Sequence, residues 1–155
     1  MSNIDWDEVD NQTQGGSYPE GDYEVVINSW EPVTAKTGTK QIRWHGVIIN
    51  GPAGINQKIT EHTPLTEKSF WRIGKLMKAC GINIKGLGKM GLDSPKFSKI
   101  LNLTRNRRSI WIVGKDEKDT SKRNKIVDYA PVNDQESIDA TDLIGAADVP
   151  AFLKE

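Results

Sequence analysis

The chain is poor in the residues that build disulfides, metal sites and membrane spans. Its one cysteine, Cys80, excludes an internal disulfide and favours a reducing, cytoplasmic setting. Its two histidines, His45 and His62, come with no CxxC and no HExxH, too few ligands at close spacing for zinc, so no metal and no cofactor is expected. No apolar run is long enough to cross a bilayer, and the acidic first 20 residues do not read as a signal peptide. Net charge is missing too, since 21 Lys and Arg balance 21 Asp and Glu.

That balance hides a partition. Residues 1–20 hold five acids and no base, and residues 131–155 hold six acids and one base, Lys154. The 110 residues between them carry 20 of the 21 bases and 10 of the acids, a net of +10. A basic body between two acidic ends points to a polyanionic partner for the body and a separate role for the ends.

Periodicity divides the body into elements. Residues 21–30 read as a strand, with Tyr23, Val25 and Ile27 on one face and Glu24, Val26, Asn28 and Trp30 on the other. Further strands are expected at 41–50 and 55–63, separated by glycine-rich turns, making a β-meander. At residues 66–80 the spacing becomes helical, with Phe70, Ile73, Met77 and Cys80 on one face, Thr66 as N-cap and Gly81 after the end. Residues 81–107 show no period. Strands at 108–114 and 123–129 close the domain. The expected fold is all-β with one amphipathic helix: a five-stranded OB-fold barrel with the helix between strands 3 and 4. It gives a flexible acidic lead-in at 1–17, a nucleic-acid-binding domain at 18–131 and a disordered acidic tail at 132–155.

Catalytic constellations are absent from the pattern. Cys80 lies on the apolar helix face, where a buried inert thiol is far commoner than a nucleophile. Gly86-Leu87-Gly88-Lys89-Met90-Gly91 matches GxGxxG as text, but it follows a helix and has no acid about twenty residues on. The body's carboxylates are scattered rather than clustered as two-metal catalysis needs. No catalytic residue and no enzymatic activity is therefore expected.

Binding an unpaired nucleic-acid strand needs cations along the phosphate path and flat rings for stacking. The expected cations are Lys36, Lys40, Arg43 and Lys58 on the first strands, and Arg107, Arg108, Lys115, Lys122, Arg123 and Lys125 on the last pair. If Ile110 and Ile112 face the core, Trp111 faces out and becomes the main stacking ring, with Tyr129 beside it. Trp44 shares its face with Ile42 and Ile48 and belongs to the core, while Trp30 and Trp71 are read as core or half-buried. The runner-up is a protein–protein adaptor or host-factor inhibitor that works through the acidic ends.

The segment Ser17-Tyr18-Pro19-Glu20-Gly21-Asp22-Tyr23 resembles the proline-x-glycine-x-tyrosine opening of a phage family filed as domain of unknown function 669. Lys36-Thr37-Gly38, Leu76-Met77-Lys78-Ala79-Cys80-Gly81 and Asn124-Lys125-Ile126-Val127-Asp128-Tyr129-Ala130-Pro131 are similar too, so the resemblance covers residues 17–131. It implies an OB-fold single-stranded DNA-binding protein of a bacteriophage, serving replication or recombination in the host cytoplasm. At the C-terminus, Asp148-Val149-Pro150-Ala151-Phe152 resembles the acidic partner-recruiting tip of bacterial single-stranded DNA-binding proteins, which implies phage or host replication partners for Asp148, Pro150 and Phe152. Alanine intervenes and Leu153-Lys154-Glu155 follows, so the usual terminal phenylalanine carboxylate is absent. Self-association is left open.

Overall fold

The computed structural model describes residues 18–115 and 124–144. The fold is mainly β: a five-stranded antiparallel sheet with a few short helices. Strands β1 (Gly21–Thr34), β2 (Lys40–Asn50) and β3 (Lys58–Pro64) form the expected meander. A 3-10 turn (Glu67–Ser69) leads into helix α1 (Phe70–Ala79), followed by a short strand β4 (Ile82–Asn83) and helix α2 (Pro95–Asn102). The chain then returns as β5 (Arg108–Gly114) and β6 (Lys125–Ala130), and ends in β7 (Ile138–Asp139) and α3 (Ala140–Ile144).

The sheet order is β3-β2-β1-β5-β6, with β5 on the free edge of β1. The expected barrel is not closed: β3 and β6 end the sheet and share no backbone ladder. A side-chain hydrogen bond spans that gap instead, from the Tyr129 hydroxyl to Glu61 Oε2 at 2.7 Å.

A bulge re-phases β1. Its register against β2 shifts between Ile27 and Ser29, so Asn28 is the extra residue. Tyr23, Val25 and Ile27 therefore share the inner face with Trp30, which pairs with Trp44, and not the outer face that simple alternation gives Trp30. Close approach at the bulge explains Gly46, where a Cβ would lie 2.4 Å from Val25 Cγ1 and 3.1 Å from the Val26 carbonyl oxygen.

The core is aromatic and its polar handles are satisfied. Trp44 and Trp111 are fully buried, and their indole N–H groups donate to Thr63 Oγ1 at 3.0 Å and Ser109 Oγ at 2.9 Å. The expectation for Trp111 is overturned: Trp111 and Val113 face inward, and Ile110 and Ile112 are half-buried on the other side. Ser109 shares the buried face and accepts the indole N–H, so Trp111 enters the core with no polar group left unpaired. Tyr129 is also buried, packed edge-on to Trp111 with ring centroids 6.2 Å apart.

In α1 the buried stripe is Leu76, Met77, Ala79 and then Cys80, while Phe70 is 39% exposed and Trp71 53%. The spacing puts Phe70 on the apolar face and Trp71 is read as core or half-buried; both instead stand exposed at the start of α1, directly after the 3-10 turn. Thr66 makes no capping bond, whereas Gly81 takes φ +75° after the helix, as a residue that ends it should. Pro95 follows Ser94, whose Oγ accepts from Lys96 N at 3.2 Å, and this N-cap starts α2 inside the stretch with no visible period.

The segment after Pro131 departs from the disorder expected of it. As far as residue 144 it packs on the body: β7 pairs parallel with β4, and Ala140 is fully buried. No helix among the described residues is long and apolar enough to cross a membrane.

Candidate functional site

On the outer face of the meander, strand register aligns Glu31, Arg43 and His62 in one row. Arg43 Nε donates to His62 Nε2 at 3.0 Å, its NH1 lies 3.7 Å from Glu31 Oε1, and Glu31 Oε2 meets His45 Nε2 at 2.6 Å. The bond to His45 holds the Glu31 carboxyl below its ordinary range. Desolvation, then the Arg43 charge, holds His62 low, so the imidazole stays an acceptor for Arg43. Lys58 is exposed on the same face. The meander as a whole is balanced in charge, because residues 21–65 contain four bases and four acids.

The other expected cations are dispersed. Lys36 is exposed on the β1–β2 turn, and Lys40 has the phase of Ile42, so it lines an end cleft of about 570 Å³ beside Trp30 and Phe97. Arg107 and Arg108 are used internally. Arg107 Nε donates to the Cys80 carbonyl at 2.8 Å and its NH2 to the Glu136 carbonyl. Arg108 pairs with Glu24 at 3.2 Å and with Asp134 at 3.0 Å. These two arginines pin the segment after Pro131 and are not available to phosphates. Lys115 and Lys125 are exposed where β5 and β6 part. Lys122, Arg123, Asp148, Pro150 and Phe152 lie outside the described residues. Trp111 and Tyr129, buried as described, cannot stack on a base.

The surplus charge sits elsewhere. Residues 66–107 contain ten bases and only two acids, Glu67 and Asp93, so this layer holds +8 of the body's +10. Lys68, Lys75, Lys78, Lys85, Lys89, Lys99 and Arg105 are all exposed on it. Beside them stand the exposed rings of Phe70 and Trp71, with the Arg72 guanidinium carbon 5.2 Å from the Trp71 ring centroid. Lys75 bonds Asp128 at 2.6 Å and holds that carboxyl low, tying the layer to β6. Reading along the chain missed this site because its lysines look like the solvated side of an ordinary helix. The signal was present in the charge count: dividing the body at residues 65 and 107 isolates it.

The titratable groups in the interior are structural. Burial pushes the Cys80 thiol up to about 12, so it is protonated and inert at neutral pH. Glu61 is pushed above its ordinary value by desolvation, offset in part by the bond from Tyr129. Cys80 is in the core and both histidines are on the outer sheet face, so no Cys–His pair is assembled. Among the described residues no group of three or more His, Cys, Asp or Glu could hold a metal ion.

Fold and charge together define a mainly β protein with a cationic, aromatic-bearing helical layer packed on its sheet. The chain belongs to the family described as "Protein of unknown function (DUF669)", which matches residues 3–140. No curated protein matches the sequence.

Proposed function

We propose that this protein binds single-stranded DNA in a sequence-tolerant manner, without chemistry on it, through the cationic layer of residues 66–107. The carrying observation is the concentration of that layer: nine bases besides the internally bonded Arg107, against two acids, beside the exposed rings of Phe70 and Trp71. Cations neutralise phosphates and exposed rings stack with any base, which gives affinity without sequence readout. Duplex DNA hides its base faces, so the exposed rings favour an unpaired strand.

The sheet order β3-β2-β1-β5-β6 with a helix between β3 and β5 supports reading the fold as an OB-fold opened between its first-sheet edge and its last strand. The phage resemblance supports a role in protecting or presenting DNA during replication or recombination in the host cytoplasm. Fluorescent oligo-dT titrated at several salt concentrations, alongside duplex DNA and RNA of equal length, tests the reading. Affinity should be highest for the single DNA strand and fall linearly in log–log form as salt rises. No binding at low salt, or binding without a salt slope, overturns it.

A further inference from the structure

The basic layer contains an apolar cleft of about 400 Å³ between α1 and the segment entering α2, lined by Phe70, Ile73, Met77, Leu87, Met90 and Phe97. Leu92 at its mouth is 41% exposed. A cleft of this size and character is large enough for two or three apolar side chains and costs stability if left wet.

One segment of the chain is held beside the wall of this cleft. After Pro131 the chain is anchored by Arg107 and Arg108, and the Ile138 amide donates to the Gly81 carbonyl at 2.8 Å. Strand β7 then runs parallel to β4, pairing Ile82 with Ile138 and Asn83 with Asp139. Residues just past β4 include Ile84, Leu87 and Met90, which form one wall of the cleft. The two segments stay together beyond the ladder, because a Cβ at Gly86 would lie 3.3 Å from Thr141 Cγ2, and Ile144 packs on the core. Helix α3, which ends at Ile144, also packs on α2, whose Phe97 and Ile100 line the cleft.

Residues 145–155 follow, Gly-Ala-Ala-Asp-Val-Pro-Ala-Phe-Leu-Lys-Glu, with their apolar side chains at Val149, Phe152 and Leu153. Eight residues from Ile144 to Phe152 reach up to about 26 Å when extended, ample for a neighbouring cleft. Lys85 and Lys89 are exposed on the cleft's loop and complement Asp148. We propose that the C-terminal arm continues its established packing and seats Phe152 and Leu153 in this cleft, in cis, with Asp148 against Lys85 and Lys89. The proposal goes beyond the nucleic-acid reading; because Phe70, Lys85 and Lys89 belong to both surfaces, a seated arm and a bound strand would compete for them, and the test is made without DNA.

The test uses the full chain without DNA. A spin label is placed at Glu155→Cys; the buried Cys80 thiol does not compete for the reagent. Expected is several-fold paramagnetic broadening at Ile73, Met77, Met90 and Phe97, with His45 and Lys58 on the far face unaffected. Adding Phe152→Ala and Leu153→Ala to the labelled chain should abolish the broadening. Absence of broadening at the cleft, or its survival in the double variant, overturns the proposal. Broadening only in mixtures of labelled chains with unlabelled isotope-enriched chains also overturns it, in favour of a second copy as occupant.

Discussion

Tyr129 donates its hydroxyl to Glu61 Oε2 at 2.7 Å, and this bond joins the two strands that end the sheet. Neither β3 nor β6 has a backbone partner on that side, so the pair takes the place of a missing ladder. Burial and the facing Glu61 carboxylate keep the Tyr129 phenol protonated, which keeps it a donor at every working pH. Tyr129→Phe leaves a largely buried carboxylate short of a donor, and should cost about 1–3 kcal/mol in denaturant titration.

Glu61 gives that seam a pH dependence of definite sign. Its folded pKa is raised, by desolvation first, so between the ordinary carboxylate value and the folded value the native state binds more protons than the unfolded chain. Stability associated with this group is present at acid pH and is lost as pH rises through the folded value. Glu61→Gln keeps an acceptor for Tyr129 and removes the titration. The difference in unfolding free energy between wild type and Glu61→Gln should therefore shift in favour of the variant from pH 4.5 upward. A difference independent of pH would show that Glu61 titrates normally.

Trp111 and Trp71 should behave oppositely. Trp111→Ala empties a fully buried indole site and should cost about 3–5 kcal/mol of stability, read by urea denaturation. Trp71→Ala removes an exposed ring, leaves the fold intact and should weaken oligo-dT binding by about 1–3 kcal/mol if the ring stacks. Equal affinity for the folded Trp71→Ala variant would remove that ring from the interface.

The sequence exposed the skeleton of this fold better than the sense of its faces. Alternation located β1, β2, β3, β5 and β6 because one side of most of them is polar. It misplaced Trp111 because 108–114 is apolar on both sides, with Ile110 and Ile112 against Trp111 and Val113, so period two fixes a grouping without saying which group is inside. It grouped Trp30 with the face opposite Tyr23 because a single bulged residue, Asn28, inverts the phase, whereas the reading of Trp30 as core or half-buried agrees with its packing against the core. The segment at 134–144 eluded composition because polar contacts hold much of it: Arg107, Arg108 and Gln135 bond main-chain carbonyls across it and the body. Part of the expected cation set was legible as charge but not as geometry, since Arg107 and Arg108 turn out to be internal anchors.

Gly46 is a backbone requirement of the bulge. Gly46→Ala would drive its methyl into the branched, fully buried Val25 side chain and toward the Val26 carbonyl. Neither neighbour can swing aside, so overpacking should cost about 1–3 kcal/mol, measurable as a lowered urea midpoint with an unchanged slope. A midpoint equal to wild type would mean that β1 and β2 can part at the bulge without penalty.

The location of the charge, finally, separates the two halves of the molecule as binding surfaces. Lys68, Lys78 and Lys99 are exposed in the +8 layer, whereas Lys36, Lys40 and Lys58 are exposed on a meander whose acids balance its bases. Each phosphate contact to a single strand contributes about 0.7 to the slope of log affinity against log salt. Replacing Lys68, Lys78 and Lys99 together with Ala should lower that slope by about 2 if each makes one contact. The same replacement at Lys36, Lys40 and Lys58 should leave it nearly unchanged. All six are surface lysines, so neither triple variant should alter the unfolding midpoint appreciably, and the comparison reads binding alone. A larger loss from the meander set would move the interface from the helical layer to the meander.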